Sequence, residues 1–215
     1  MTALGHRALD PAADLVVRLV ALSDEPPSPA RADAAVLVLL RLGKTGLEVL
    51  AEQRAERPGD PWSGQVGLPG GHKTPEDRSL TETVLRELQE EVGIRPSTLD
   101  GTPRLFDVRR ARPSGLRVAV FLGLVATVPE GPGEVDPEEV ATTFWLPLQA
   151  LSQTESRPRA TIFGEIHVDT VVFEGHVIWG FTLRVLRDIM AWLTTPDSCW
   201  SEPRGELRSW RSQAL

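Results

Sequence analysis

Three glutamates, Glu87, Glu90 and Glu91, lie within five residues of one another, a short distance after the pair Gly70-Gly71. On a helix, residues three and four apart are neighbours, so the three carboxylates would share one flank. Like charges placed this way repel, and burying one of them unpaired would cost far more. A hard cation such as Mg²⁺ or Mn²⁺ would compensate, because these ions bind carboxylates together with substrate phosphates. The spacing therefore predicts a metal site for phosphate chemistry.

The residues around these acids predict the helix that carries them. Ser79 and Glu82 have the spacing of a capping box, and Gly93 suits a left-handed C-terminal cap, so the helix should run from about Leu80 to Val92. One apolar stripe of this helix should face the rest of the domain; it comprises Leu80, Val84, Leu85, Leu88 and Val92. Glu91 projects into that stripe, which a solvated charge would avoid.

The alternative interpretation of the three acids is a solvated helix face. Arg86 lies four residues from both Glu82 and Glu90, which is the spacing of helical ion pairs. A charged run on a helix usually forms such a face. Arg86 points away from Glu91, however, and leaves that acid without a partner. The position of Glu91 and the upstream glycine turn favour the metal site.

The segment from Gly71 to Ile94 resembles the Nudix box, which reads glycine, five residues, glutamate, seven residues, then Arg-Glu-aliphatic-x-Glu-Glu-x-Gly-aliphatic. The second half is matched at every fixed position, by Arg86, Glu87, Leu88, Glu90, Glu91, Gly93 and Ile94. The first half differs. Counting back from Arg86 puts Arg78 at the family's first glutamate, whereas counting forward from Gly71 puts Asp77 there. One residue is inserted, and Asp77 or Glu76 replaces that acid.

The resemblance implies an α/β fold, an α/β/α sandwich with a mixed β-sheet, and a hydrolase of a nucleoside diphosphate linked to another group. It implies Mg²⁺ or Mn²⁺ as cofactor, held by Glu87, Glu90, Glu91, Asp77 and the Gly71 carbonyl. Catalytic roles fall to Glu87, Glu90, Arg86 and Glu139. The arginine would orient the acids by salt bridges. The resemblance leaves open which glutamate is the general base and how many metal ions bind.

The flanking sequence resembles the coenzyme A pyrophosphatase branch of this family, which splits coenzyme A into 3′,5′-ADP and 4′-phosphopantetheine. The likeness covers roughly residues 33 to 195 and includes Arg54, the run from Trp62 to Gly71, and the run from His176 to Thr182. The chain has Glu52, Gly59 and Leu68 where the branch has threonine, arginine and phenylalanine. ADP-ribose, dinucleoside polyphosphates and nucleoside triphosphates therefore remain alternative substrates, and a nucleotide-sensing module without catalysis is a further alternative.

Three residues outside the helix are predicted to bind substrate, namely Arg54, Trp62 and Gly70. The planar guanidinium of Arg54 suits a phosphate, or equally a salt bridge at the sheet edge. Trp62 could stack on an adenine, or it could anchor its own loop. Glu139 is either an added catalytic acid or part of a solvated pair with Glu138.

Composition limits the class of protein. The chain has 215 residues, 41% of them hydrophobic, which suffices for one domain with a sizeable core. A net charge of −7 argues against nucleic-acid binding, and a single cysteine, Cys199, suits the cytoplasm. We expect no signal peptide and no membrane segment. The expected partner is a small nucleotide substrate, and the resemblance adds a homodimer.

We predict three regions: an N-terminal helix and Pro-rich linker over 1–32, a Nudix domain over 33–195, and a polar tail over 196–215. The helix should cover Leu9 to Leu22. Residues Arg57 to Gly71 should form a loop without regular structure, because they are rich in proline and glycine. A second helix should run from Trp179 to Leu193. Strands are expected at Ala34 to Leu42, Leu47 to Arg54, Arg104 to Arg110, Leu116 to Val128, Thr142 to Leu146 and Ala160 to Phe173.

Overall fold

A mixed β-sheet forms the centre of the protein, in a computed structural model that describes residues 22, 32–44, 46–60, 62–112, 114–125, 136–161 and 164–194. Its seven strands are β1 (Ala34–Gly43), β2 (Gly46–Arg54), β3 (Val66–Gly67), β4 (Gly70–His72), β5 (Arg104–Arg110), β6 (Arg117–Leu124) and β7 (Val140–Pro147). β1 is parallel to β6, and the other pairs are antiparallel. Leu37 to Leu40 of β1 are fully buried, as the dense apolar run predicts.

Two strands of the sheet separate to admit a third segment. β1 and β2 pair at their turn, from Leu40 opposite Val49 to Gly43 opposite Gly46. Away from the turn, β3 pairs with β2, while β4 pairs with β1. We call residues 66–72, which contain β3 and β4, the wedge. The prediction of a loop without regular structure from Arg57 to Gly71 is therefore wrong at its end, because backbone pairing to two neighbouring strands orders the glycines.

Helices cover both faces of the sheet, so the predicted α/β/α sandwich is confirmed. α1 (Leu80–Val92) packs its buried residues on one face, against a core that includes Leu37, Leu50 and Phe121. α2 (Gly180–Thr194) packs on the opposite face. A three-stranded antiparallel sheet adjoins α2; its strands are β8 (Glu155–Thr161), β9 (Gly164–Phe173) and β10 (His176–Trp179).

Both ends of α1 are capped as predicted, with one difference. The Ser79 hydroxyl accepts the Glu82 N–H at 3.1 Å, and Gly93 adopts a left-handed conformation with φ of 70°. The Glu82 carboxylate, however, accepts the N–H of Arg78 at 2.7 Å rather than that of Ser79. Glu91 is only 4% exposed and lies in the buried stripe, as the spacing predicts. The stripe differs from the prediction at two positions. Thr83, which was not predicted to belong to it, is fully buried, whereas the predicted member Leu85 is only half-buried.

The remaining predicted strands are present. β6 ends at Leu124, however, and residues 126–128 of the strand predicted from Leu116 to Val128 lie outside the described residues. The other differences are at the C-terminal side. The strand predicted from Ala160 to Phe173 is a hairpin of β8 and β9, since Gly164 begins a second strand. The run from His176 to Trp179 is strand β10, and the helix begins only at Gly180. The predicted N-terminal helix, apart from Leu22, and the tail over 196–215 lie outside the described residues. No helix within the described ranges is long and apolar enough to cross a membrane.

Among the glycines of the wedge, we expect Gly70 to be the one whose replacement destabilises the protein most. It has φ of +151°, and a Cβ there would lie 2.6 Å from the Val36 Cα and would also overlap the Ala35 carbonyl oxygen. Gly101 provides a matched control, because it also has a positive φ (+93°) but faces open space. We expect Gly101→Ala to lower the free energy of unfolding by about 1–3 kcal/mol, the cost of backbone strain. Gly70→Ala should cost clearly more, measured by urea unfolding, and equal losses would contradict the close approach.

Candidate functional site

Arg86 is the centre of an ion-pair network at the solvent side of α1. Its guanidinium lies 2.8 Å from the Glu90 carboxylate and 3.0 Å from that of Glu87. It also donates to the His72 carbonyl at the end of the wedge, at 3.3 Å. One cation therefore holds two of the three glutamates that are predicted to bind metal and ties the helix to the glycine turn. This position agrees with the predicted role of Arg86 in orienting the acids.

Asp77 is the strongest partner of Arg86. The guanidinium donates to both carboxylate oxygens, at 3.1 and 3.0 Å. The same carboxylate accepts the Thr74 N–H and the Thr83 hydroxyl, at 3.1 and 3.0 Å. These bonds, above all those from Arg86, lower the pKa of Asp77 and keep it ionised. Its geometry favours a role in holding Arg86, and direct metal binding by Asp77 stays a prediction. Glu76, the other candidate for this position, is exposed.

Glu91 and Glu87 face the two glycines of the turn. The Glu91 carboxylate accepts the Gly70 N–H at 2.8 Å. The Glu87 carboxylate lies so close to Gly71 that any Cβ at that glycine would overlap it. Glu87 and Glu91 therefore reach the backbone of the turn, while Glu90 extends outward with a side chain that is 55% exposed. The wedge places both glycines directly in front of these acids, and metal binding by Gly71 and the glutamates stays a prediction.

A fourth acid, Glu52 of β2, lies beside this group. It is 2% exposed, and its Oε2 atom has no hydrogen-bond partner. Its other oxygen faces Gly67 of the wedge, where an added Cβ would lie 3.6 Å away. The charge of Glu52 raises the pKa of Glu91, and the charge of Glu87 raises that of Glu52, so the three carboxylates share one electrostatic environment.

The sequence interpretation missed Glu52 as a site residue and recorded it only as a departure from the branch signature. Side chains on a strand alternate between its faces. Leu50 packs toward α1, whereas Val49 and Ala51 pack toward α2. Glu52 therefore points to the α1 face, where Glu91 lies. The alternation of side chains along β2 therefore indicates which face Glu52 points to. It identifies Glu52 as a site residue only once α1 is known to cover that face.

Burial dominates the protonation of these acids. It is the largest cause of the raised pKa values, which are about 9 for Glu91 and about 7 for Glu52, and it also raises the pKa of Glu87. Nearby negative charges act in the same direction, whereas Arg54 acts to lower the pKa of Glu52 and Glu91, and Arg86 that of Glu87. Glu139 contributes to the rise at both Glu52 and Glu87. Ionising all of these acids would thus place more negative charge in the site than its own cations neutralise.

The predicted substrate-binding residues lie around this acid group. Arg54 donates to Asp60 at 3.3 Å through one terminal nitrogen, while its buried Nε has no partner. The Trp62 N–H also bonds to Asp60, at 2.8 Å, and its side chain is half-buried. Arg54 therefore makes the predicted salt bridge and keeps one donor unused. Stacking of Trp62 on a base stays a prediction.

Glu139 lies at the neighbouring end of β7. Its carbonyl accepts the Ala55 N–H at 2.9 Å, and its half-exposed carboxylate lies 3.7 Å from Arg57. The pairing of Arg54 with Val140 brings this end of β7 beside β2. In the described part of the chain, no three His, Cys, Asp or Glu side chains converge closely enough to form a metal cage as they stand. Glu87 and Glu90 are instead engaged by Arg86, and Glu91 by the Gly70 amide.

Comparison with known proteins agrees with this geometry. Residues 31–163 match the family model for the NUDIX domain. Two relatives, each an uncharacterized Nudix hydrolase NudL, come from Yersinia pestis (strain Pestoides F) and Yersinia pseudotuberculosis serotype O:1b (strain IP 31758). Each is 35% identical over 133 residues, which cover 59% of this chain and 63% of the relative. The chain thus matches less than two thirds of the length of these relatives.

A solved structure resembles the whole fold. The NUDIX domain of Shewanella oneidensis NrtR, crystallised with ADP ribose, has a TM-score of 0.50 and 19% sequence identity. The similarity covers 85% of this chain and 98% of that domain. At this identity the likeness supports the fold alone.

Neutralising Asp77 should loosen Arg86. Asp77→Asn replaces one acceptor oxygen with an amide that repels the guanidinium. We expect the free energy of unfolding to fall by about 2–3 kcal/mol, in the range of hydrogen bonds to charged groups. Glu76→Gln removes the same charge from an exposed neighbour and should change stability by less than about 0.5 kcal/mol. Urea unfolding of both variants checks this, and equal effects would show that Asp77 does not hold Arg86.

The metal-free protein should lose stability as the pH rises. Glu91 and Glu52 keep protons in the folded state that the unfolded chain releases above its ordinary pKa of 4.5. Their stabilising effect is complete below that pH and is lost as the pH rises through about 7 toward 9. We expect the Tm in EDTA to fall by at least about 4 °C between pH 5.5 and 8.5. Glu91→Gln should flatten this dependence, and a wild-type Tm that is level or rising would refute it.

Proposed function

We propose that this chain, which belongs to the Nudix family, is a metal-dependent hydrolase that cleaves the diphosphate bond of a nucleoside diphosphate derivative. The substrate that we favour is coenzyme A, with 3′,5′-ADP and 4′-phosphopantetheine as products. The observation that carries the proposal is the buried acid group in front of the glycine turn. Glu87 and Glu91 contact the turn backbone, and Arg86 holds the flank. This arrangement provides concentrated negative charge next to backbone groups that can approach a ligand closely.

The residues present suit a hard divalent cation. All of the donors are oxygens, and one of them, Oε2 of Glu52, is buried without a partner. Mg²⁺ and Mn²⁺ prefer such ligands. Glu87, Glu90, Glu91 and the Gly71 carbonyl would hold the cation. When bound, it would neutralise charge on the phosphoryl oxygens and favour ionisation of water.

The chain's own groups would perform the remaining tasks. A carboxylate of the acid group accepts a proton from water, and the water oxygen forms a bond to one phosphorus. The bond from that phosphorus to the bridging oxygen breaks, and the electron pair leaves with the second phosphate. Arg86 keeps Glu87 and Glu90 oriented. The unused Nε of Arg54 is a donor for a phosphate oxygen.

Support for coenzyme A comes from the sequence around the wedge. The run from Trp62 to Gly71 resembles the signature of the coenzyme A pyrophosphatase branch, and part of it forms β3 and β4. Glu52, Gly59 and Leu68 depart from that signature. We therefore keep ADP-ribose, dinucleoside polyphosphates and nucleoside triphosphates as competing substrates. Location in the cytoplasm, suggested by the single cysteine, and pairing into a homodimer also remain proposals.

Product analysis tests the reaction. We expect coenzyme A with Mg²⁺ or Mn²⁺ to give two products that each end in phosphate, and EDTA to stop turnover. ADP-ribose, diadenosine polyphosphates and nucleoside triphosphates, each assayed alone, rank the alternatives by kcat/KM. Faster cleavage of one of these would reassign the substrate. No turnover of any compound with either metal would reject the enzyme in favour of a nucleotide-sensing module.

Substitution of single acids tests the site. Glu87→Gln and Glu90→Gln should each lower kcat about 100-fold or more, because each removes charge that orients or accepts a proton in the transition state. Glu165→Gln, at an exposed position of β9, removes the same charge elsewhere and should leave kcat within about twofold. Kinetics of the three variants with the preferred substrate check this. An unchanged kcat in both site variants would place the chemistry elsewhere.

A further inference from the structure

Glu52 is the acid that the proposed site does not yet use. It belongs to β2, outside the helix and turn that form the Nudix box, and it is 2% exposed. Its Oε2 atom is buried without a hydrogen-bond partner. Across the strand pair lies Gly67, which has no side chain to fill the space in front of the carboxylate. The side chain therefore ends with a buried oxygen atom that no protein donor satisfies.

The surroundings of Glu52 make this burial unfavourable for the protein alone. Among the described residues, Arg54 provides the positive charge that favours ionised Glu52, whereas Glu87 and Glu139 oppose ionisation. Burying a carboxylate without adequate partners costs several kcal/mol, and a similar apolar side chain would avoid that cost. The two residues that precede Glu52 in β2, Leu50 and Ala51, are apolar and buried. An acid at this position is therefore explained best by a ligand that requires it.

We propose that Glu52 is an additional carboxylate ligand of the divalent cation at this site, supplied by the sheet rather than by α1. The inference rests on the proposed function, because it assumes that the acid group binds a cation. Glu52 is directed to the α1 face of the sheet and has a free oxygen. Glu52 would add one acid from the sheet to Glu87, Glu90 and Glu91 of α1, of which Glu90 is half-exposed and paired with Arg86. The cation would then be held by both the helix and the sheet.

Metal binding without substrate tests the inference directly. Mn²⁺ is titrated into the full-length protein at constant pH, and free Mn²⁺ is followed by electron paramagnetic resonance. We expect Glu52→Gln to raise the Kd for Mn²⁺ about tenfold or more, or to remove one bound ion. Glu48→Gln removes the same charge from the same strand, where Glu48 pairs with Arg41 at 2.7 Å, and it should leave the Kd within about twofold.

A second measurement separates metal binding from a purely structural role. In EDTA, the Tm of Glu52→Gln should equal or exceed that of the wild type, because a buried carboxylate has been removed. With Mn²⁺, the rise in Tm should be smaller than in the wild type. A lower Tm in EDTA combined with an unchanged Kd would mean that Glu52 only supports the fold, and would overturn the inference. Should the glutamine variant fail to fold, Glu52→Asp retains the charge on a shorter side chain and should still raise the Kd.

The result also distinguishes this inference from the proposed function. Loss of Mn²⁺ binding in Glu87→Gln, with wild-type affinity in both Glu52→Gln and Glu52→Asp, would reject the role of Glu52 and leave the hydrolase proposal intact. A wild-type protein that binds no Mn²⁺ would reject both. Weaker binding in both Glu87→Gln and Glu52→Gln, with Glu48→Gln unchanged, would support a ligand set that spans the helix and the sheet.

Discussion

The separation of β1 and β2 is the constraint on which the rest of the structure depends. The two strands pair at their turn and then diverge, and the wedge fills the space between them. Gly70 lies against the backbone of Ala35 and Val36, where no other residue fits. Its amide is then presented to Glu91 at 2.8 Å. A gap in the sheet therefore determines where backbone and carboxylate meet, and the acid group is located by strand pairing rather than by loop conformation.

Charge balance is the second constraint. Arg86 contacts Asp77, Glu87 and Glu90, and it is the one cation directly bonded to this flank of α1 among the described residues. Asp77 stays ionised because Arg86 binds both of its oxygens, so much of that positive charge is already neutralised. Glu91 and Glu52 are left in a buried and largely uncompensated state. The protein thus tolerates an electrostatic cost at one place, which is typical of functional sites.

Local patterns predicted the parts of this structure that local energetics decide. The capping residues Ser79 and Gly93 and the apolar period of α1 gave its bounds without error, because caps and amphipathicity act within one element. The burial of Glu91 followed from the same period. β3 and β4 could not be predicted, since their order comes from pairing with strands distant in sequence. Glu52 was missed for a related reason: its neighbours in space belong to a helix some forty residues away. We predicted one strand where β8 and β9 form a hairpin, because no run of polar residues in the sequence separates the two strands.

The sequence between Gly71 and α1 is one residue longer than the family pattern. The segment between the wedge and the helix is fastened at both ends. Arg86 holds the His72 carbonyl on one side, and Asp77 bonds Thr74 and Thr83 on the other. These contacts hold the segment on both sides of the extra residue. A search that demands fixed spacing would overlook such proteins, whereas one that demands the tethering contacts would find them.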